Sequence, residues 1–292
     1  MERNKRLKVS NDSRQNNEVF GAKEAQQQGF QTRSVMKDDF GYEVPIEAVP
    51  LPTNGVIYSP DSGMYNTETL EIRAMTAREE DILTSRALIK KGTVITELIK
   101  SCLVNKSIDV DDMISGDRNA VMTALRITGY GSDYTVQVDC PACEHTSKQT
   151  FMLTELPIKR LEITPVADGA NLFEYRLPVT NKTVQFKFLT GRDEAEMSII
   201  AERQKKQGQK TDNLVTSRLQ HSIVAIDGIT DRGKINTFVK NMPARDSLTL
   251  RKFIDSNEPG IEMKSWMQCP SCHEHSEVNL PLGATFFWPD TE

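Results

Sequence analysis

The chain has 292 residues, of which 38% are hydrophobic and 26% charged, and its formal net charge is −5. This acidic balance argues against a general nucleic-acid-binding protein, because phosphate contacts need a clustered basic surface. No apolar run is long enough for a transmembrane helix, and no apolar segment follows the basic start as in a secretory signal, so we expect a protein of cytosol-like conditions with no membrane partner.

Residues 1–48 are rich in glutamine, asparagine and charges of both signs, and they contain few large apolar residues. Such a segment does not by itself repay the entropy cost of folding. We predict either a disordered tail or an arm that becomes ordered on a partner. In the second case the anchors would be the apolar residues Val19-Phe20, Phe30 and Val35-Met36. Ordered structure is expected to begin near Pro45.

An internal repeat begins soon after this arm. The first copy covers residues 70–80 and the second covers residues 184–194. Each copy is an alternating strand that ends in a threonine able to cap a helix, with an acidic residue three positions later, the spacing of a capping box. These pairs are Thr76 with Glu79 and Thr190 with Asp193. A Leu-Pro pair precedes each predicted helix, at Leu51-Pro52 and at Leu177-Pro178.

The match resumes at Asp117 and Asp246, and from there the two copies align without gaps as far as Cys140 and Cys269. The alignment pairs apolar residues at positions i, i+3 and i+4, which form the buried stripe of an amphipathic helix. These pairs are Val121 with Leu250, Ala124 with Phe253, and Leu125 with Ile254. A strand on either side of the cysteines completes a predicted hairpin in both copies, at residues 134–138 and 149–153 and at residues 261–267 and 276–280.

The length suffices for two domains with a substantial core. We predict an α+β fold in which two internally repeated strand–helix–helix–hairpin units follow an extended N-terminal arm. The arm covers residues 1–48, the first repeat residues 49–165 and the second repeat residues 166–292. The polar insertion at residues 201–212 is expected to be a solvated helix end or loop.

Four of the five cysteines form two C-P-x-C motifs. In a reducing compartment such pairs favour metal or redox chemistry over disulfides. A hairpin with this motif at its tip directs both sulfurs to one spot, as in a zinc knuckle, and the proline leaves the following amides free to hydrogen-bond the sulfurs. Because structural zinc takes four ligands, we predict one structural Zn²⁺ per chain that joins the two repeats. The predicted ligands are Cys140, Cys143, Cys269 and Cys272.

Three alternatives to this site stay open. A redox C-x-x-C motif would stand at the start of a helix, whereas a strand-like segment follows each motif here. A disulfide between the motifs would need an oxidising compartment. Separate or mixed metal sites would need further ligands, for which the candidates are His145, His273 and His275.

Catalytic motifs are absent from the sequence: there is no nucleophile elbow, P-loop, H-E-x-x-H or dinucleotide glycine fingerprint. Four thiolates would also leave zinc no open position for catalysis, so we predict that the chain is not an enzyme and has no small-molecule substrate. Cys102 is expected to be a small core residue, and His221 an ordinary packed or half-exposed histidine. Trp266 and residues 286–289 are expected either to pack on the second hairpin or to form a protein contact.

Several short motifs taken together resemble the baseplate hub and hub-assembly proteins of contractile-tailed bacteriophages. They are Met75-Thr76-Ala77-Arg78-Glu79-Glu80, Gly116-Asp117-Arg118, both C-P-x-C motifs and Phe286-Phe287-Trp288-Pro289. The likeness covers about residues 48–292 and does not extend to the arm. It implies a structural or assembly role, in the virion tail baseplate or in the host cytoplasm during assembly. The implied partners are other tail and baseplate hub proteins, with the tape measure as a further candidate.

Two other functions are kept as alternatives. A zinc-ribbon adaptor associated with nucleic acid would serve replication or transcription, but the acidic balance counts against it. A metal-dependent hydrolase would need an open coordination position. We therefore favour a zinc-stabilised adaptor that binds other tail proteins.

Overall fold

The computed structural model describes residues 34–37, 43–206, 213–282 and 284–287. Most of the predicted arm, the end of the polar insertion, and Trp288-Pro289 lie outside the described residues. Within the described ranges the chain is a mixed α+β protein, which confirms the α+β part of the predicted fold. Below, residues 43–165 are called the first half and residues 166–287 the second half.

The described residues form helices and strands in both halves. The helices are α1 (Ala77–Thr84), α2 (Arg86–Lys91), α3 (Val94–Cys102), α4 (Ser115–Tyr130), α5 (Gly191–Lys206), α6 (Leu214–Ser222), α7 (Arg232–Asn241) and α8 (Ala244–Asn257). The strands are β1 (Ser34–Lys37), β2 (Glu43–Pro50), β3 (Thr69–Arg73), β4 (Asp133–Asp139), β5 (Thr146–Met152), β6 (Ile158–Lys159), β7 (Phe173–Arg176), β8 (Thr183–Phe186), β9 (Ile223–Ile226), β10 (Gly260–Ile261), β11 (Lys264–Gln268) and β12 (His275–Asn279).

One small antiparallel sheet accompanies each half. In the first, β2 lies between β1 and β3, and in the second, β8 lies between β7 and β9. An isolated antiparallel bridge from Ile72 to Leu103 brings the end of α3 beside β3, much as β9 follows α6 and pairs with β8. The hairpins β4–β5 and β11–β12 stand apart from these sheets. Strand β1 and the start of β2 belong to the segment that was assigned to the arm.

Both predicted helix caps are present. The backbone N–H and the hydroxyl of Thr76 donate to Glu79 Oε2 at 2.9 and 2.7 Å. In the second half the same groups of Thr190 donate to Asp193 Oδ2 at 3.0 and 2.8 Å. A side chain that accepts from the residue before the helix satisfies donors that the first turn would otherwise leave unpaired. The strand-to-helix turn is therefore set locally in each half.

A basic residue at the end of the preceding strand neutralises each capping acid. Arg73 donates to both carboxylate oxygens of Glu79, at 3.0 and 2.6 Å, and Lys187 Nζ lies 2.8 Å from Asp193. Glu79 is fully buried. Because a buried carboxylate is costly without a partner, strand and helix are tied together by charge as well as by backbone geometry.

The two halves share one core, in which α4 is the central element. Its predicted stripe of Val121, Ala124 and Leu125 is buried. The corresponding face of α8 is less enclosed, with Leu250 and Ile254 buried and Phe253 half-buried. The difference arises because segments of the second half cover α4.

Two contacts of this kind cover the start of α4. The Ser115 N–H donates to the Leu189 carbonyl at 2.9 Å, and the Gly191 N–H donates to the Met113 carbonyl at 3.0 Å. A Cβ on Gly116 would lie 1.8 Å from the Pro259 carbonyl oxygen, so only glycine permits this approach. Strands β6 and β10 add an antiparallel pair between the halves.

The aromatic residues near the second C-P-x-C motif behave in two different ways. Phe286 and Phe287 are fully buried. The Phe286 ring lies 5.0 Å from that of Tyr134 on β4, and its carbonyl accepts from Arg126 Nε at 3.0 Å. These contacts of Phe286 are with α4 and the first hairpin, not with the second hairpin as one alternative expected. Trp266 is 68% exposed, so packing is the wrong expectation for this tryptophan.

Within the described ranges, none of the helices combines the length and the hydropathy needed to cross a bilayer.

Candidate metal centre

Each C-P-x-C motif forms the turn of a hairpin. The first cysteine follows directly on a strand, Cys140 after β4 and Cys269 after β11. The Cys140 N–H donates to the His145 carbonyl at 3.0 Å, and the Cys269 N–H donates to the Glu274 carbonyl at the same distance. The two turns therefore close through equivalent backbone hydrogen bonds.

A residue in the left-handed conformation follows the second cysteine of each motif. Glu144 has φ 59° and His273 has φ 60°. Their N–H groups donate to the carbonyls of the first cysteines, at 2.8 and 2.9 Å. Non-glycine residues adopt this conformation infrequently, so its occurrence at the same place in both turns indicates a common requirement. The turn directs both sulfurs to one side of the hairpin tip.

The four sulfurs of the two turns meet at one point. Cys140 Sγ lies 3.7 Å from Cys272 Sγ, and Cys143 Sγ lies 3.6 Å from Cys269 Sγ. All four ligand atoms lie within 4.8 Å of one another. Four sulfurs at about 2.3 Å from a tetrahedral Zn²⁺ are separated by about 3.8 Å. The donor set and its spacing thus fit a four-thiolate metal ion.

Backbone amides point at three of these sulfurs. His145 N–H donates to Cys143, and Glu274 N–H donates to Cys272. The N–H of Cys272, followed by that of Ser271, lowers the pKa of the Cys269 thiol to about 6. Such donors orient metal ligands and stabilise their charge. These backbone N–H donors follow from the proline and the turn geometry, so the C-P-x-C motif is the sequence signal that predicts them.

The thiols also affect one another. The His145 N–H acts to lower the pKa of Cys143, but hydrogen bonds with the other three thiols raise it to about 12. A divalent cation that binds at the cluster displaces the protons of the thiols. Cys140 and Cys269 are buried, whereas Cys143 and Cys272 are exposed. One edge of the cluster is thus open to the solvent from which an ion would enter.

The histidine alternatives are not supported by this arrangement. Among the described residues, the group of ligand atoms that meets at the hairpin tips consists of the four cysteines alone. The side chains of His145, His273 and His275 are exposed on the outside of the turns. His145 contributes instead through its backbone. His221 lies elsewhere, on α6, with Nδ1 2.9 Å from the Ser217 carbonyl.

The fifth cysteine is separate from the cluster. Cys102 ends α3 and is completely buried, as expected of a small core residue. Burial raises the pKa of its thiol to about 12. Cys102 is therefore a neutral packing residue, and it offers a control for substitutions in the cluster.

Comparison with known protein families adds one finding. A family model described as "T4 bacteriophage base plate protein" matches residues 56–288. The match covers well over half of the chain and includes both hairpins with all four clustered cysteines. No curated protein and no solved structure matches the chain.

Proposed function

Since the chain belongs to the T4 bacteriophage base plate protein family, we propose that it is a structural or assembly component of the tail baseplate hub, where a structural zinc ion joins its two halves. The observation that carries the proposal is the meeting of four cysteine sulfurs from hairpins more than a hundred residues apart. One closed ion at that point makes the halves a single rigid body.

The ligands proposed for this ion are Cys140, Cys143, Cys269 and Cys272, at one Zn²⁺ per chain. Zinc is preferred because soft thiolates in a tetrahedron select zinc or iron–sulfur centres over hard cations. Four sulfurs fill the coordination sphere and leave no position for water or substrate. The ion therefore supplies folding energy and rigidity, and the proposed role is not enzymatic.

The two halves are further proposed to be copies of one unit, residues 49–165 and 166–292, that follow an arm of residues 1–48. Support comes from equivalent side-chain contacts: the pair Thr76 with Glu79 recurs as Thr190 with Asp193, and each C-P-x-C turn closes through the same backbone bonds. A duplicated unit explains why the cysteine pairs approach as if related by a two-fold rotation, the first cysteine of each motif lying beside the second cysteine of the other.

The proposed partners are other tail and baseplate hub proteins, with the tape measure as a further candidate, in the virion tail or in the host cytoplasm during assembly. A rigid body is suited to such contacts because a preformed interface loses little entropy on binding. Trp266 on β11 is 68% exposed and offers contact area for such a partner, and the arm is proposed as a further contact element.

Substitution in phage tests this proposal. Cys140→Ser and Cys269→Ser each remove one ligand, and each should abolish zinc binding and incorporation of the chain into baseplates. Cys102→Ala should preserve both, because Cys102 lies outside the cluster. The measurements are zinc content of the purified chain and mass spectrometry of purified tails and of baseplate intermediates. Tails that assemble normally with a zinc-free variant would refute the proposal that a zinc ion joins the two halves.

A further inference from the structure

A groove lies between helices α6 and α8, on the second half and away from the cysteine cluster. Its volume is about 300 Å³. The apolar part of its lining includes Leu219 and Ile254, which are buried, and Leu214 and Val215, which are 64% and 43% exposed. Large apolar side chains exposed beside an apolar cavity are typical of a binding surface.

Two polar groups give this groove its chemistry. Arg251 Nε is buried and has no hydrogen-bond partner among the described residues. A buried N–H without an acceptor is unfavourable. We therefore expect a ligand in this groove to place a carbonyl or carboxylate oxygen on Arg251 Nε. Glu258 lines the same groove and supplies a carboxyl group. Burial raises the pKa of Glu258, an effect that Arg218 partly offsets.

The corresponding place in the first half is closed. There Gly129 stands where the second half has Glu258, and Met75 stands where it has Leu189, if the helices and caps are aligned as above. Met75 Cε lies 2.5 Å from the position that a Cβ on Gly129 would take. The methionine thus fills the space directly against the helix backbone. Met75 therefore occupies the place in the first half that corresponds to the groove, and an apolar side chain at this place is compatible with the architecture of the unit.

We propose that the α6–α8 groove binds a peptide segment of another baseplate protein, which inserts one apolar side chain between Leu219 and Ile254 and places a main-chain carbonyl on Arg251. A peptide is the occupant because its backbone offers both an acceptor for Arg251 and a donor for Glu258. The volume accommodates a side chain of leucine to phenylalanine size. The proposal rests on the proposed baseplate role and names the contact surface for it.

Photo-crosslinking in assembling phage tests the groove. The photoreactive residue p-benzoylphenylalanine replaces Leu214 at the rim in one variant, and in a matched control it replaces Ile89, which is 47% exposed on α2 of the first half. Baseplates are purified after irradiation, and cross-linked peptides are sequenced by mass spectrometry. We expect the variant at Leu214 to join one defined segment of one tail protein, and the control to lack that product.

The segment found is then synthesised and its affinity for the purified chain is measured by fluorescence anisotropy. Leu214→Glu and Arg251→Met should each weaken binding at least 10-fold, and Ile89→Glu should leave it unchanged. If the chain is present in baseplates but Leu214 yields no product, or the same products as Ile89, the groove is refuted while the proposed function stands. If the chain is missing from baseplates and their intermediates, both fail.

Discussion

Asp117 and Asp246 occupy the same position in the first turn of α4 and α8, and each fastens the chain that follows a Leu-Pro pair to the start of its helix. Asp117 accepts from the N–H and hydroxyl of Thr53 at 3.2 and 2.6 Å. Asp246 accepts from the N–H and hydroxyl of Thr180 at 3.0 and 2.8 Å, and from the Val179 N–H. In each half, one carboxylate thus links the chain that leaves the small sheet to the start of the long helix.

The pKa values of the two carboxyl groups are nevertheless shifted in opposite directions. Burial raises the pKa of Asp117 to about 6, against the hydrogen bonds from Thr53 and Tyr58 that lower it. Burial acts in the same sense on Asp246, but the donors of Val179 and Thr180 outweigh it and hold its pKa below the usual range. Both side chains are fully buried, and they differ in their donors: Asp246 accepts from two backbone N–H groups and Asp117 from one.

These shifts predict opposite pH dependence for two conservative substitutions. A raised folded-state pKa stabilises the protein below the unfolded pKa of about 3.9, and this stability is lost as pH rises through 6. The destabilisation by Asp117→Asn should therefore shrink between pH 4 and pH 7. The destabilisation by Asp246→Asn should grow as pH rises through the unfolded pKa, because a lowered pKa contributes stability above it. Urea unfolding at several pH values measures both, and parallel curves would contradict the assignment.

Removal of the charge on Glu79 is predicted to be costly. Glu79 is fully buried and holds the guanidinium of Arg73, whose side chain is only 15% exposed. Breaking a buried ion pair by removing one partner costs about 3–5 kcal/mol, so Glu79→Gln should lower the free energy of unfolding by about 3 kcal/mol. Asp81→Asn, at an exposed site on the same helix, should change it by less than about 0.5 kcal/mol. Denaturant unfolding distinguishes the two, and equal effects would contradict a structural role for the pair.

The close contact between the halves at Gly116 makes a further prediction. A Cβ there would lie 1.8 Å from the Pro259 carbonyl oxygen, which belongs to the backbone and cannot rotate away. Gly116→Ala should destabilise the chain by about 3 kcal/mol, the upper range for overpacking. Gly233→Ala meets only Asp231 Oδ1 at 3.3 Å and should change stability by less than about 1 kcal/mol. A Gly116→Ala protein as stable as the control would show that the halves do not approach as described.

Much of the fold was predictable because its signals are local. A threonine with an acid three residues later is a helix-start signal contained in four consecutive residues, and both caps form as expected. Alternating residues on either side of the cysteines predicted β4–β5 and β11–β12 for the same reason. The cysteine cluster was predictable because two matching C-P-x-C motifs each supply two of the four ligands that a structural zinc ion takes.

Other features depend on packing between distant segments and left no periodic signal. Nothing in Ile158 or Ile261 indicates that β6 pairs with β10 across the halves. Trp266 lies on an amphipathic strand, but the hairpin turns it to solvent because Met267 takes the buried face. The α6–α8 groove depends on side chains that separate elements of the second half bring together. Such features follow from which neighbours are present, not from the local pattern.

The central claim is that one ion with four sulfur ligands joins the two halves of this baseplate protein. X-ray absorption spectroscopy at the zinc edge tests this claim most directly, on the full chain purified from cells. Native mass spectrometry of the same sample gives the number of zinc ions per chain. We predict one zinc per chain with four sulfur neighbours at about 2.3 Å. Two zinc ions per chain, or nitrogen and oxygen ligands in place of sulfur, would contradict the account.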